Sequence, residues 1–119
     1  MALKAGQAAE TRVQRWLEAQ GLKLISRNQH SRGGELDLVM RDGDTVAVIE
    51  VRQRRSSHFG SAAESVDARK RARIVQATRS LIACQPELAR HPIRFDVVAI
   101  DGDDGIDWLR NAFDAGDWA

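Results

Sequence analysis

From about Lys4 to Gln20, apolar side chains recur every three to four positions, at Ala5, Ala9, Val13, Trp16 and Leu17, among Ala, Glu, Gln and Arg. That period predicts an amphipathic helix, and Gly21 supplies its stop. Leu22 to Arg27 alternates weakly and predicts a strand, followed by a polar loop from Asn28 to Gly34. The period then becomes two: Glu35 to Met40 and Val46 to Arg52 flank a turn at residues 42–44 and predict a β-hairpin. Residues 53–65, with Ser56, Ser57, Gly60 and Ser61 around Phe59, predict a mobile or ligand-ordered loop. A second helix starts at Asp67, a plausible N-cap, and runs to about Gln85 with Ile74, Val75, Thr78, Leu81 and Ile82 turned inward. Cys84, in that apolar stretch, is expected in the core. Pro86 and Pro92 bracket the exit, and Ile93 to Ile100 predicts a strand apolar on both faces. After a turn at residues 101–105, a short strand through Ile106, Trp108 and Leu109 precedes a terminal turn from Asn111. The order α-β-β-β-α-β-β predicts an α/β fold, a mixed β-sheet flanked by helices.

The hairpin carries the chemistry. One face receives Glu35, Asp37, Glu50 and Arg52, together with Val39, Val46 and Val48 near the turn; the other receives Leu36, Leu38, Met40, Ala47, Ile49 and Val51. A loop at Asp42-Gly43 sets Glu35 opposite Glu50, whereas a loop at Gly43-Asp44 sets Asp37 opposite Glu50. In either register two carboxylates face each other with Cβ atoms roughly 4.5–5.5 Å apart, an arrangement that destabilises a sheet. A hard cation such as Mg²⁺ or Mn²⁺, held by one or two carboxylates plus water and phosphate oxygens, removes the conflict. The other reading is a surface hairpin whose acids are neutralised by Arg52 and its neighbours.

Length and composition narrow the choice. At 119 residues and 43% hydrophobic content the chain suits one domain, residues 1–119. No apolar run approaches the roughly 20 residues that span a bilayer, and the start of the chain lacks the order of a signal peptide. With Cys84 alone there is no internal disulfide, so a cytoplasmic, reducing setting is the expectation. The net charge of +1 conceals polarity along the chain. Between Arg52 and Arg79 eight arginines and lysines stand against Glu64 and Asp67, while from Asp101 onward six aspartates stand against Arg110. A basic stretch beside an acidic cluster suits a polyanion that meets a metal; surface charge kept for solubility is the alternative.

Several motifs, in order, resemble those of the YraN family of bacterial proteins: Gly6-x-x-x-Glu10, Arg27-Asn28, Gly34-Glu35-Leu36-Asp37-Leu38-Val39, Ile49-Glu50-Val51-Arg52-x-Arg54, Phe59-Gly60, Lys70, Arg94-Phe95-Asp96-Val97-Val98 and Asn111-Ala112-Phe113. The resemblance implies a restriction-endonuclease-like fold of the PD-(D/E)XK type, similar to archaeal Holliday-junction resolvases. Under it Asp37 matches the first acid of the nuclease signature, Glu50 the second, and Arg52 the position where the signature has lysine. Glu10 matches the extra acid that resolvase-like members direct toward the metal, and Glu35 is a further ligand or a tuning charge.

That resemblance implies metal-assisted hydrolysis of a phosphodiester in branched or structured DNA, with Asp37, Glu50, the Val51 carbonyl and Glu10 around Mg²⁺ or Mn²⁺. Arg52 cannot act as a base, because arginine stays protonated below a pKa of about 12. It could stabilise charge on the phosphate while the metal activates the water, or Lys70 could take the missing lysine's part. In a third reading cleavage is lost and a non-catalytic nucleic-acid-binding module remains. Arg54, Arg55, Arg69, Arg71 and Arg73 are expected on the nucleic-acid backbone, favouring shape over base sequence, and cutting both strands of a junction predicts a homodimer. An adaptor whose basic helix docks an acidic protein is a reading from another class. With six aromatic residues in all, Trp108 and Trp118 are expected in packing rather than stacked on bases. Asp96 suits an ion pair with Arg94 as well as it suits catalysis. His30, His58 and His91 lack zinc spacing with Cys84, Ser56 and Ser57 beside His58 make no triad, and residues 101–107 lack the ligand order of a calcium loop.

Overall fold

In the computed structural model, residues 5–54, 66–102 and 105–115 are described. Helix α1 (Ala5–Ala19) forms over the predicted three-to-four period and buries Ala9, Val13 and Leu17 along one stripe. Gly21, at φ +101°, turns the chain back so that its NH donates to Glu18 O at 3.0 Å and the Leu22 NH to Leu17 O at 3.1 Å. Five strands follow: β1 (Lys23–Ser31), β2 (Gly34–Asp42), β3 (Thr45–Arg54), β4 (Ile93–Asp101) and β5 (Gly105–Phe113). They lie in one sheet in that order, with β3 and β4 parallel and every other neighbouring pair antiparallel. A parallel step needs a long crossover, and helix α2 (Ala68–Cys84) with a 3₁₀ turn at Pro86–Arg90 supplies it. Asp67 caps α2, its carboxylate accepting from the Lys70 NH at 2.8 Å.

Each helix covers one face of the sheet. Val39, Val46, Val48, Phe95, Val97 and Ala99 pack with Ile74, Ala77 and Leu81 of α2. Leu38, Met40, Ala47, Ile49, Val98 and Ile100 pack with Ala9, Val13 and Leu17 of α1. Strand β4, buried on both faces, is the unbroken apolar run expected of a central strand. The α/β class, the mixed sheet and the order α-β-β-β-α-β-β are therefore as the sequence predicts.

The structure departs from the sequence reading in four places. Strand β1 continues through the polar residues Asn28 to Ser31, of which Gln29, His30 and Ser31 pair with β2; an edge strand that faces water needs no apolar alternation to form its ladder. Strand β5 likewise runs on to Phe113 instead of turning at Asn111, which keeps its place at φ +53° beside a register shift. Cys84 is exposed in the last turn of α2, where the core is filled instead by Leu88 of the 3₁₀ turn. Leu36 packs with Val39, Val46 and Val48 on the α2 side, so the alternation along β2 breaks between Leu36 and Leu38. The predicted loop, with Phe59, His58, Ser56 and Ser57, lies outside the described residues apart from Gln53 and the backbone of Arg54.

Asp96 is fully buried and belongs to the framework. Its carboxylate accepts from Arg94 Nε at 3.0 Å, Trp108 Nε1 at 3.0 Å and the Asn111 NH at 2.9 Å, while Arg94 Nη2 also reaches Asp42 at 2.8 Å. Trp108 thus serves packing and this bond, edge-on to Trp16 with centroids 5.7 Å apart. Removing one partner of a buried ionic network leaves the others unsatisfied. Asp96→Ala is expected to destabilise the fold by roughly 3–5 kcal/mol in urea titration; a loss below about 1 kcal/mol would contradict the structural role.

Candidate functional site

The β2–β3 ladder runs from Asp42–Thr45 to Leu38–Ile49 and stops, whereas β3 stays paired with β4 as far as Arg54. Of the two predicted registers this is the one with Gly43-Asp44 in the turn; one position beyond the end of the ladder it sets Asp37 toward Glu50, whose carboxyl feels the Asp37 charge. At this point Asp37 Oδ2 accepts the Val51 NH at 2.9 Å, a side chain standing where a ladder carbonyl would otherwise continue the pairing. Beyond it β2 leans toward α2. Gly33, at φ +103°, passes so close to that helix that a Cβ there would lie 2.6 Å from Gln76 Cγ. The two strands part, and a pocket of about 250 Å³ opens whose lining includes Glu10, Asp37, Glu50, Val51, Arg52 and Lys70.

Glu10 reaches the pocket from α1. Its helix is tied to β1 by Arg27, which donates to Thr11 Oγ1 at 2.9 Å, Gln14 Oε1 at 3.2 Å and Gln7 O at 3.3 Å. Arg27 Nη2 stands 3.8 Å from Glu10 Oε1, and Asn28, held at φ +50°, hydrogen-bonds the same carboxyl. Arg27 and Asn28 carried no assigned role in the sequence reading; a polar pair at the far end of a weak strand gives no periodic signal that it orients a distant helix.

Glu50 is 4% exposed. Lys70 Nζ lies 3.3 Å from Glu50 Oε1 and Arg52 Nη1 lies 3.9 Å from the same atom, so cations from α2 and β3 meet at one buried carboxylate. Glu35 is exposed and adds negative charge near Glu10. Arg69 and Arg73 are exposed on α2. Arg71 is turned to the fold: its Nε donates to Val66 O at 2.9 Å and its guanidinium lies 5.5 Å from the Phe113 ring centroid. The side chain of Arg54, all of Arg55 and Trp118 fall outside the described residues.

A model of the uncharacterised protein family UPF0102 matches residues 9–100, a stretch that contains Glu10, Asp37, Glu50, Arg52 and Lys70. The chain belongs to this family. UPF0102 is the YraN family that the sequence motifs resemble. The chain is similar to UPF0102 proteins of Ectopseudomonas mendocina, at 54% identity with 92% of this chain and 94% of the relative covered, and of Pseudomonas putida, at 48% identity with 93% and 94% covered. A third, from Pseudomonas savastanoi pv. phaseolicola, is 47% identical with 94% of each chain covered.

The electrostatics of this UPF0102 site follow from its burial. Desolvation, then the Asp37 charge, pushes the Glu50 carboxyl up from 4.5 to about 8, against the opposing pull of Lys70. Glu10 is raised to about 7 by desolvation and by Asp37. Glu10 Oε1 is buried and accepts no hydrogen bond. Among the described residues no three of His, Cys, Asp and Glu gather tightly enough to ligate one ion together. Two carboxylates completed by water and phosphate oxygens are nonetheless the ordinary complement for Mg²⁺, and a buried carboxylate oxygen that has Arg27 3.8 Å away but no hydrogen bond keeps room for a closer cation.

Both raised carboxyls hold protons in the folded protein that the unfolded chain releases. Their stabilisation is therefore complete below about 4.5 and is lost as pH rises through about 7 and then about 8. In chelator, the melting temperature is expected to fall between pH 5 and pH 8.5, and Glu50→Gln, which cannot ionise, is expected to flatten that fall. A wild-type melting curve that rises over this interval would contradict the assignment.

Proposed function

We propose that this pocket is the centre of a divalent-cation-dependent nuclease that hydrolyses phosphodiester bonds in branched or otherwise structured DNA. The observation that carries the reading is the buried Glu50 across from Asp37 at the parting of two strands, with Lys70 3.3 Å from Glu50. Asp37 and Glu50, with the Val51 backbone, would hold Mg²⁺ or Mn²⁺, and Glu10 would complete or orient the shell. Bound there, the ion supplies neutralisation of the phosphate and a more acidic water.

The chain's own groups divide the remaining work. The Val51 NH fixes the Asp37 carboxylate. Arg52 stays charged and stabilises negative charge gathering on the phosphate. Lys70, a compact ammonium on a flexible stem, positions the attacking water, which gives a physical basis for an arginine at position 52. Exposed Arg69 and Arg73 would hold the nucleic-acid backbone and read no base sequence. Cutting both strands of a junction requires two such centres, hence a second copy of the chain as partner.

A second reading is a nucleic-acid-binding module without cleavage. It is favoured by Arg52 at the signature position and by the lack of a three-ligand group among the described residues. Labelled single-stranded, duplex, flap and four-way DNA incubated with Mg²⁺ or Mn²⁺ separates the two. Cleavage is expected on branched DNA, with losses of about 100-fold or more for Asp37→Ala and for Lys70→Met. Arg52→Lys is expected to leave cleavage within about threefold if Lys70 already serves. Cleavage gained only in Arg52→Lys would favour the binding module, and cutting that persists in Asp37→Ala would exclude this pocket.

A further inference from the structure

A second hollow, of about 180 Å³, adjoins the acidic pocket and is lined by Arg52, Asp67, Arg69, Lys70 and Arg73. Its sign is opposite: four cations stand against one carboxylate, and Asp67 already accepts the Lys70 NH as the cap of α2. Arg52 and Lys70 form a wall common to both hollows. Arg69 and Arg73 lie one turn apart on α2, so both project to the same side of the helix. We infer that this basic hollow is a one-phosphate subsite, and that it takes the phosphodiester next to the one lying over Asp37 and Glu50.

The inference rests on the reading of the acidic pocket as the place of the scissile phosphate, and it makes that reading narrower. A polyanion laid across a wall two side chains thick meets the acids with one phosphate and the arginines with its neighbour. Guanidinium groups suit this task because they bind phosphate in a bidentate manner. Such a site selects a continuous strand over a lone phosphodiester, and it fixes which linkage is presented for attack. It remains indifferent to the bases.

Two measurements on the full chain test it. In the first, inorganic phosphate is titrated into ¹⁵N-labelled protein, wild type beside the Arg69→Gln, Arg73→Gln double variant. Shifts are expected at Arg52, Arg69, Lys70 and Arg73, lost in the double variant and retained in Arg69→Lys, Arg73→Lys; an unchanged spectrum elsewhere shows that the fold is intact. Shifts scattered over other basic residues, or the same in the double variant, would overturn the subsite. In the second, one neutral methylphosphonate linkage is walked along a cleaved strand. One linkage adjoining the cut is expected to slow cleavage by about tenfold or more in the wild type and by far less in the double variant, whose salt slope for DNA binding falls by about one phosphate. Equal effects at all uncut linkages would overturn the subsite while leaving the nuclease reading intact. Should no DNA be cut, the nuclease reading fails, and the phosphate titration alone decides the subsite.

Discussion

Two acids cannot share a buried gap without a cation or a proton, and that constraint governs this molecule. Glu50 is 4% exposed and faces Asp37 where β2 leaves β3. Coulombic repulsion between two carboxylates grows as water is removed from between them. The protein does not relieve the conflict by burying a matched pair: Lys70 and Arg52 both approach Glu50, yet its carboxyl remains raised to about 8. Natural sheets tend to avoid directly opposed like charges. Here the framework is arranged to hold them in place.

That framework is visible in the surrounding contacts. Asp37 accepts the Val51 NH, Arg27 ties α1 to β1 behind Glu10, and Gly33 brings the β1–β2 turn against α2. The apolar clusters on the two faces of the sheet hold the helices that deliver Glu10 and Lys70 to opposite sides of one opening. Asp96, paired with Ile49 on the neighbouring strand, plays a different part. With Arg94, Trp108 and Asn111 satisfying it, that carboxylate locks β4 to β5 and has no capacity left for a ligand.

The sequence disclosed the elements governed by periodicity. The stripe Ala9, Val13, Leu17 and the alternation from Val39 to Ile49 specify α1 and the hairpin because burial on one face leaves a repeating trace. The carboxylate opposition was legible for the same reason, since both allowed registers face two acids across the hairpin and the structure selects Asp37 with Glu50. The polar second half of β1 and the Arg110-Asn111 interruption in β5 leave weaker traces, so both strands run past their predicted ends. The position of Leu36 was illegible because it depends on β2 leaving β3, a tertiary event with no local period. For similar reasons Arg27 and Asn28 gained a role only once α1 was seen beside β1, and Arg71 lost its free appearance once Phe113 was seen beneath it.

The proposed chemistry of this pocket requires these acids to accept a divalent ion. Calorimetric titration of Mn²⁺ into the chain at pH 7, in two buffers of different ionisation enthalpy, measures binding and proton release together. One saturable Mn²⁺ per chain is predicted, with protons released as Glu10 and Glu50 give up theirs, and with both signals abolished in Asp37→Ala. Absence of saturable uptake, or uptake that Asp37→Ala leaves unchanged, would contradict it.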